Sequence, residues 1–257
     1  MSISEAQPPV IQSLWIGPKL STMEQLSIVS FLQNGHSFHL YAYEEIEGVP
    51  PGTTVRDAGE IIPATKIFKY RHHNTYSGFA NLFRYRLLLE KGGYWVDTDI
   101  VCLRPFNFAA PYMFAGVPTG PQRFRWRKKY HIANWFIKAP PGSEIMNYCY
   151  QEAAKRNPEE LAFGETGPRL LSVAVKKFSM EQYVAPFATF CPIYAWQWKC
   201  FINESFAGRR KWKKALHASY GAHLYHEMWR RNEVDTDSSF PEASIYEQLK
   251  RRYLNCS

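Results

Sequence analysis

Apolar and polar positions along the chain switch between two periods, and the switches predict the elements. Residues 10–16 (VIQSLWI) form an apolar run stopped by Gly17 and Pro18, and read as a first strand. Ser21 and Glu24 then have capping-box spacing, and Leu26, Val29 and Leu32 carry one helical stripe as far as Asn34 and Gly35. A second strand follows at 37–43. Strand, helix and strand in this order make a βαβ unit, which predicts a parallel sheet with its ligand site at the carboxyl ends of the strands. After a loop at 44–51, strands are expected at 53–62, 112–117 and 131–139. Further helices are expected at 143–157 with Ser143 as cap, at 169–178 and at 244–254.

The segment Ser77–Lys91 (SGFANLFRYRLLLEK) departs from the amphipathic pattern. Its apolar residues run almost all the way round, which describes a buried helix, with Ser77 as the expected N-cap and Gly92 and Gly93 closing it. Arg84 and Arg86 therefore lack an obvious polar face. A guanidinium taken out of water must be paired, so at least one of them should meet a carboxylate or a phosphate. Asn81 lies one turn before Arg84 on nearly the same side.

The glycines are followed by Tyr94-Trp95-Val96-Asp97-Thr98-Asp99, an aromatic and β-branched stretch that reads as a short strand. In extended chain, residues two apart share a face, so Asp97 and Asp99 are expected to converge while Thr98 turns away. Two adjacent anions call for a hard divalent cation, Mg²⁺ or Mn²⁺, which commonly takes a phosphate as a further ligand. Two blander readings stand beside this one. Asp-x-Asp occurs by chance in loops, and Arg84 has an internal salt bridge to either acid open to it.

The run A-N-L-F-R-Y-R-x-L-L-E-K-G-G-Y-W-V-D-T-D closely resembles the sugar-binding region of family 32 of the glycosyltransferases. That group spans bacterial capsule and lipopolysaccharide transferases, α-1,4-galactosyltransferases and yeast mannosyltransferases. The resemblance implies an α/β GT-A fold: a mixed, mainly parallel sheet flanked by helices, with a helical C-terminal appendage. It also implies a nucleotide diphosphate sugar as donor, UDP-sugar favoured, transfer of a hexose to a glycan or glycolipid acceptor, and retention of anomeric configuration. Asp99 would then bind the metal directly, Asp97 the metal or its water, and Arg84 would add fixed positive charge there. Leu14 and Trp15 would cup the base. Where relatives have Ser-Asp this chain has Ala80-Asn81; that Asp is thought to hold donor-sugar hydroxyls, and Asn81 keeps hydrogen-bonding capacity without the charge. Asn134 and Thr166, the latter in Thr166-Gly167-Pro168, match further donor-site positions. His223 matches a late motif as a third metal ligand, whereas His226 falls where relatives often have Asn.

Composition narrows the remaining choices. At 257 residues, 46% of them hydrophobic, the chain can bury a sizeable core, and one domain over 1–257 is expected, with a nucleotide-binding half near 8–103 and an acceptor side near 104–257. The formal charge of +8 suits an anionic partner. Gly208 to Lys214 (GRRKWKK) is readable as a solvated loop or as a patch for anionic membrane, with Trp212 inserting at the interface. The basic stretch from 116 to 130 is readable as a site-shaping loop or a solvated face. Five cysteines without metal spacing read as free thiols in a reducing cytosol, and with no signal peptide and no membrane span the reading favours a bacterial cytoplasmic enzyme at the inner face of the membrane. Two other functions compete: a metal-dependent phosphoesterase or nucleotide-sugar hydrolase, and a basic nucleic-acid-binding module, for which no motif speaks.

Overall fold

The computed structural model describes residues 10–71, 73–118, 130–204 and 209–254. Along the first half run β1 (Ile11–Leu14), α1 (Thr22–Gln33), β2 (Phe38–Ala42), β3 (Thr53–Asp57), α2 (Ser77–Lys91), β4 (Gly93–Val96) and β5 (Ile100–Cys102). The second half adds β6 (Met113–Pro118), β7 (Tyr130–Ala139), α3 (Glu144–Ala154), α4 (Leu170–Lys177), β8 (Val184–Ala185), α5 (Phe187–Phe190), α6 (Arg209–Ala218), β9 (Gly221–His223), α7 (His226–Arg231) and α8 (Ile245–Tyr253).

Seven strands form one sheet in the order β3-β2-β1-β4-β7-β6-β8, and β5 pairs with β9 in a separate ribbon. The pairs β3·β2, β2·β1, β1·β4 and β6·β8 are parallel, whereas β7 runs antiparallel to β4 and β6. The expected mixed, mainly parallel α/β sheet is present, and the βαβ unit of β1, α1 and β2 opens it.

Side chains alternate across β4 and bind two cores to the sheet. Trp95 joins Phe79, Phe83, Leu87, Ile145 and Leu171 under α2, α3 and α4. Tyr94 and Val96 point the other way, to Ile28, Phe31, Phe106 and Phe136. A third core ties the C-terminal helices to α1 and β5 through Leu26, Val101, Trp198, Trp229 and Tyr246. Helix α1 serves two of these cores and so joins the C-terminal region to the sheet.

Capping follows the expectation in α1 and α3 and departs from it in α2. Ser21 and Glu24 form the complete capping box of α1, and Ser143 and Ser244 cap α3 and α8. Ser77 does not cap α2. It is the first helical residue, Tyr76 stands at the cap, and Thr75 Oγ1 accepts the Ser77 N–H at 3.2 Å. Gly92 is required at the other end: with φ +64, a Cβ there would lie 2.5 Å from the Pro141 nitrogen.

Some expectations shift with the third dimension. The strand expected to 62 ends at Asp57 and gives way to a short helical turn at Ala58–Glu60. Trp212 is buried in the third core, so its expected insertion into a membrane interface is overturned. Gly208 and the side chains of Arg209, Arg210, Lys211 and Lys213 lie outside the described residues, as does most of the basic stretch from 116 to 130. Cys102, Cys149, Cys191 and Cys200 are buried free thiols, and Cys256 lies outside the described residues. Among the described residues no helix is long and apolar enough to cross a membrane.

Candidate active site

Strand β4 delivers Asp97 to the carboxyl edge of the sheet beside the end of β1. The two acids do not share an extended strand, as the spacing had predicted. They occupy the turn between β4 and β5, closed by an Ile100 N–H to Asp97 carbonyl bond of 3.2 Å. The Asp97 amide still donates to Trp135 of β7, which fixes where the turn begins. Both side chains line a single cleft of about 370 Å³, together with Leu14, Trp15 and Arg84.

The acids meet there from opposite supports. Asp97 Oδ1 accepts the Trp95 indole N–H at 2.8 Å and pairs with Arg84 Nη1 at 3.0 Å. Arg84 is 3% exposed, donates through Nε to the Ala80 carbonyl at 3.0 Å and through Nη1 to the Asn134 carbonyl, and lies 4.7 Å from the Trp95 ring. The buried guanidinium thus finds the carboxylate its position demanded. Arg86 escapes instead, to Glu90 on the next turn of the helix. Burial raises the pKa of Asp97 and outweighs the pull of Arg84; the 35% of its side chain that stays open to the cleft moderates the rise.

Asp99 is held from the C-terminal side. Its Oδ2 pairs with His223 Nε2 at 3.1 Å and accepts the His226 backbone N–H at 2.9 Å. Burial alone would raise its pKa; the His223 charge and these hydrogen bonds prevail and hold it at about 2. For His223 burial works downward, and Asp99 overrides it to raise the pKa to about 10. Asp99 Oδ1 is buried and has no hydrogen-bond partner. A buried carboxylate oxygen without a donor is costly, and a cation satisfies it. Among the described residues no group of three or more His, Cys, Asp or Glu is arranged to hold a metal. The donor set present fits an ion that takes one or two carboxylates and completes its shell with water and substrate phosphates, as Mg²⁺ and Mn²⁺ do.

The remaining candidates divide. Asn81, Asn134 and Thr166 do not line the cleft. They form a chain behind Arg84: Asn134 Nδ2 donates to Asn81 Oδ1 at 2.5 Å, and Asn81 Nδ2 donates to Thr166 Oγ1 at 3.3 Å. The Tyr85 hydroxyl donates to the Thr166 carbonyl at 3.0 Å. A Cβ on Gly167 would fall 2.9 Å from Asn134 Nδ2 and 3.0 Å from Asn81 Nδ2, so the glycine lets this turn close on both amides. His223 sits one layer behind Asp99, and His226 rather than His223 lines the cleft.

Several cleft residues escaped the sequence reading. Glu227 and Arg230 come from α7, where they join His226, the residue weighed against His223; Phe163 comes from the loop before Thr166 and Ser13 from β1. Ser13 Oγ and Trp15 Nε1 are buried without partners, so the end of β1 holds two unspent polar groups. The period of α7 carried a usable signal, since His226 and Arg230 are one turn apart.

A mainly parallel sheet with paired carboxylates beyond one strand end and a buried arginine at their side is the α/β arrangement that the resemblance to GT-A proteins leads one to expect. Residues 29–115 match the family described as glycosyltransferase sugar-binding region containing DXD motif. Among solved structures it is similar to one described as "PaToxG Glycosyltransferase", at 15% identity over 96% of this chain and 86% of that one, with a TM-score of 0.47. It is also similar to "WbbM bifunctional glycosytransferase apo structure", at 10% identity over 99% of this chain and 53% of that one, again with a TM-score of 0.47. No curated protein sequence matches the chain.

Proposed function

We propose that the protein is a divalent-metal-dependent hexosyltransferase. It moves the sugar of a nucleotide diphosphate sugar, UDP-sugar first, to a glycan or glycolipid acceptor with retention of configuration, in the synthesis of bacterial surface polysaccharide such as capsule or lipopolysaccharide. The observation that carries this reading is the unpartnered, buried Asp99 Oδ1 facing no donor beside a charge-paired Asp97. When bound, Mn²⁺ or Mg²⁺ supplies Lewis-acid stabilisation of the charge that builds on the departing nucleoside diphosphate.

The chain's own residues prepare that moment. Arg84 fixes Asp97 and contributes permanent positive charge at the cleft wall. Leu14 and Trp15, at the end of β1, offer an edge for the base. Asn81, Asn134 and Thr166 hold the wall behind Arg84, and any reach to the donor sugar passes through that wall. His223 pairs with Oδ2 of Asp99 and leaves the buried Oδ1 for the cation. The protein works in the cytoplasm at the inner face of the cell membrane, and nucleic acid is not its partner.

A phosphoesterase with two metal ions needs more converging ligands than the described residues supply. The deciding experiment incubates the protein with Mn²⁺ and a panel of UDP- and GDP-sugars, and measures nucleotide release with and without glycan acceptors. Release that rises with acceptor and vanishes in Asp97→Ala and Asp99→Ala is expected. Normal turnover in either variant refutes the assignment, and release indifferent to acceptor transfers it to hydrolysis.

A further inference from the structure

Trp196 is 63% exposed, more than Val173, Val55 or Phe163, the other large hydrophobic side chains open to water among the described residues. It is nevertheless firmly placed. Its ring lies on Tyr194 at a centroid distance of 4.4 Å and an interplanar angle of 11°, and Tyr194 lies in turn on Phe187 at 4.5 Å and 18°. Phe187 is rooted in the second core. Three rings stacked nearly parallel fix the plane of the outermost one and turn its far face, flat and apolar, to solvent.

The topology puts this stack on the same edge of the sheet as the acids. Strand β7 is antiparallel to β4 and to β6, and β8 is parallel to β6, so β8 runs in the direction of β4. Asp97 follows the carboxyl end of β4, and Phe187 follows the carboxyl end of β8. Three strand spacings separate the two ends across the sheet, about 14 Å in all. The stack is also tied to the site. The Tyr225 ring packs 4.2 Å from that of His223, and the Tyr225 hydroxyl donates to the carbonyl of Ile193, next to Tyr194, at 2.5 Å. Trp196 thus stands outside the cleft but along its edge.

We propose that Trp196 is the platform of a remote acceptor subsite, on which one pyranose ring of an oligosaccharide stacks while the end to be extended reaches the cleft. The inference rests on the transferase reading above and adds the class of acceptor, a glycan several sugars long. One face of a pyranose presents C–H groups of slight positive charge, which suit the negative face of an indole, while its equatorial hydroxyls stay in water. A membrane surface fits less well, because interfacial binding needs a broad apolar face. Val55 lies on the opposite edge strand, β3, Val173 on α4 in the layer of the first core, and Phe163 in the cleft, so Trp196 has no such companions.

The test needs neither metal nor nucleotide. The unaltered protein is passed over a printed array of bacterial surface glycans, and the best-held oligosaccharide is titrated by calorimetry against it, Trp196→Ala and Trp196→Phe, with urea unfolding to confirm that both variants fold. At least one glycan should be retained, the longer chains of its series better than the disaccharide. Affinity should weaken about tenfold in Trp196→Ala and stay within about threefold in Trp196→Phe, which keeps a flat face. An array that holds nothing, a disaccharide held as well as the longest chain, or equal affinity in Trp196→Ala overturns the proposal. So does a Trp196→Ala variant that keeps its glycan affinity and loses sedimentation with phosphatidylglycerol vesicles, which would give the ring to the membrane. Because glycan binding is read without donor or cation, failure of the transfer assay and failure of this proposal are separate results.

Discussion

The two acids of the turn have opposite surroundings. On the α2 side the groups behind Asp97 are bonded to one another: Arg84 holds Asp97, the Asn134 carbonyl and the Ala80 carbonyl, while Asn81 bridges Asn134 and Thr166. On the C-terminal side atoms are left over, with Asp99 Oδ1 and Glu24 Oε1 buried and unpartnered. A saturated network resists change and sets geometry, because any movement leaves a donor or acceptor unpaired. An unsaturated one is poised to gain a ligand. The difference assigns the α2 side to holding the site and the C-terminal side to working it.

The largest expected effect breaks the working side. Asp99→Asn keeps the shape and an acceptor for His223 but removes the charge, and transfer should fall by about 10²–10³-fold, the usual scale for losing one electrostatic stabiliser. Thermal melting should move little by comparison. Turnover within a few-fold of the unaltered protein would erase the contrast between the two sides.

Next comes the holding side. Arg84→Met strips the cation from a buried pair, and such losses cost about 3–5 kcal/mol. The lower end is expected here, because Asp97 is partly open to the cleft and screened by water. Urea unfolding measures it. A midpoint unchanged from the parent protein would show that Asp97 does not depend on Arg84.

Asn81 sharpens the comparison at smaller cost. Asn81→Ala leaves the Asn134 amide without its acceptor and the Thr166 hydroxyl without its donor, and a buried group so stranded costs about 1–3 kcal/mol. Asn81→Asp, the residue of the resembling family, can accept from both neighbours and should be tolerated within about 1 kcal/mol. If Asn81→Asp is the more destabilising of the two by urea unfolding, the chain does not have the donor and acceptor pattern described.

The sequence reached much of this because strong local signals and the global fold agreed. The period of 10–43 gave the βαβ unit, and the buried character of α2 required a partner for Arg84 before Asp97 was known to be it. What it missed depends on long-range contact. Whether Asp97 and Asp99 lie in a strand or a turn is decided by Trp135, which binds the Asp97 amide from β7. Asn81, Asn134 and Thr166 read as separate ligand candidates because nothing along the chain says that they bond to one another. Glu24 was legible as a cap and illegible as a neighbour of His226, which lies far along the chain and is brought there by the third core.

The smallest effect separates those two duties of Glu24. Ser21 Oγ accepts the Met23 N–H at 3.3 Å and the Thr236 hydroxyl at 2.9 Å, so Ser21→Ala weakens the start of α1 by about 1 kcal/mol. The Ser21 backbone N–H that Glu24 Oε2 accepts remains, so Glu24 stays anchored beside His226 and transfer should be unchanged. A Ser21→Ala variant that loses transfer as badly as Asp99→Asn would mean that the firmness of the helix start, and not the charge at the β4–β5 turn, is what the cleft responds to.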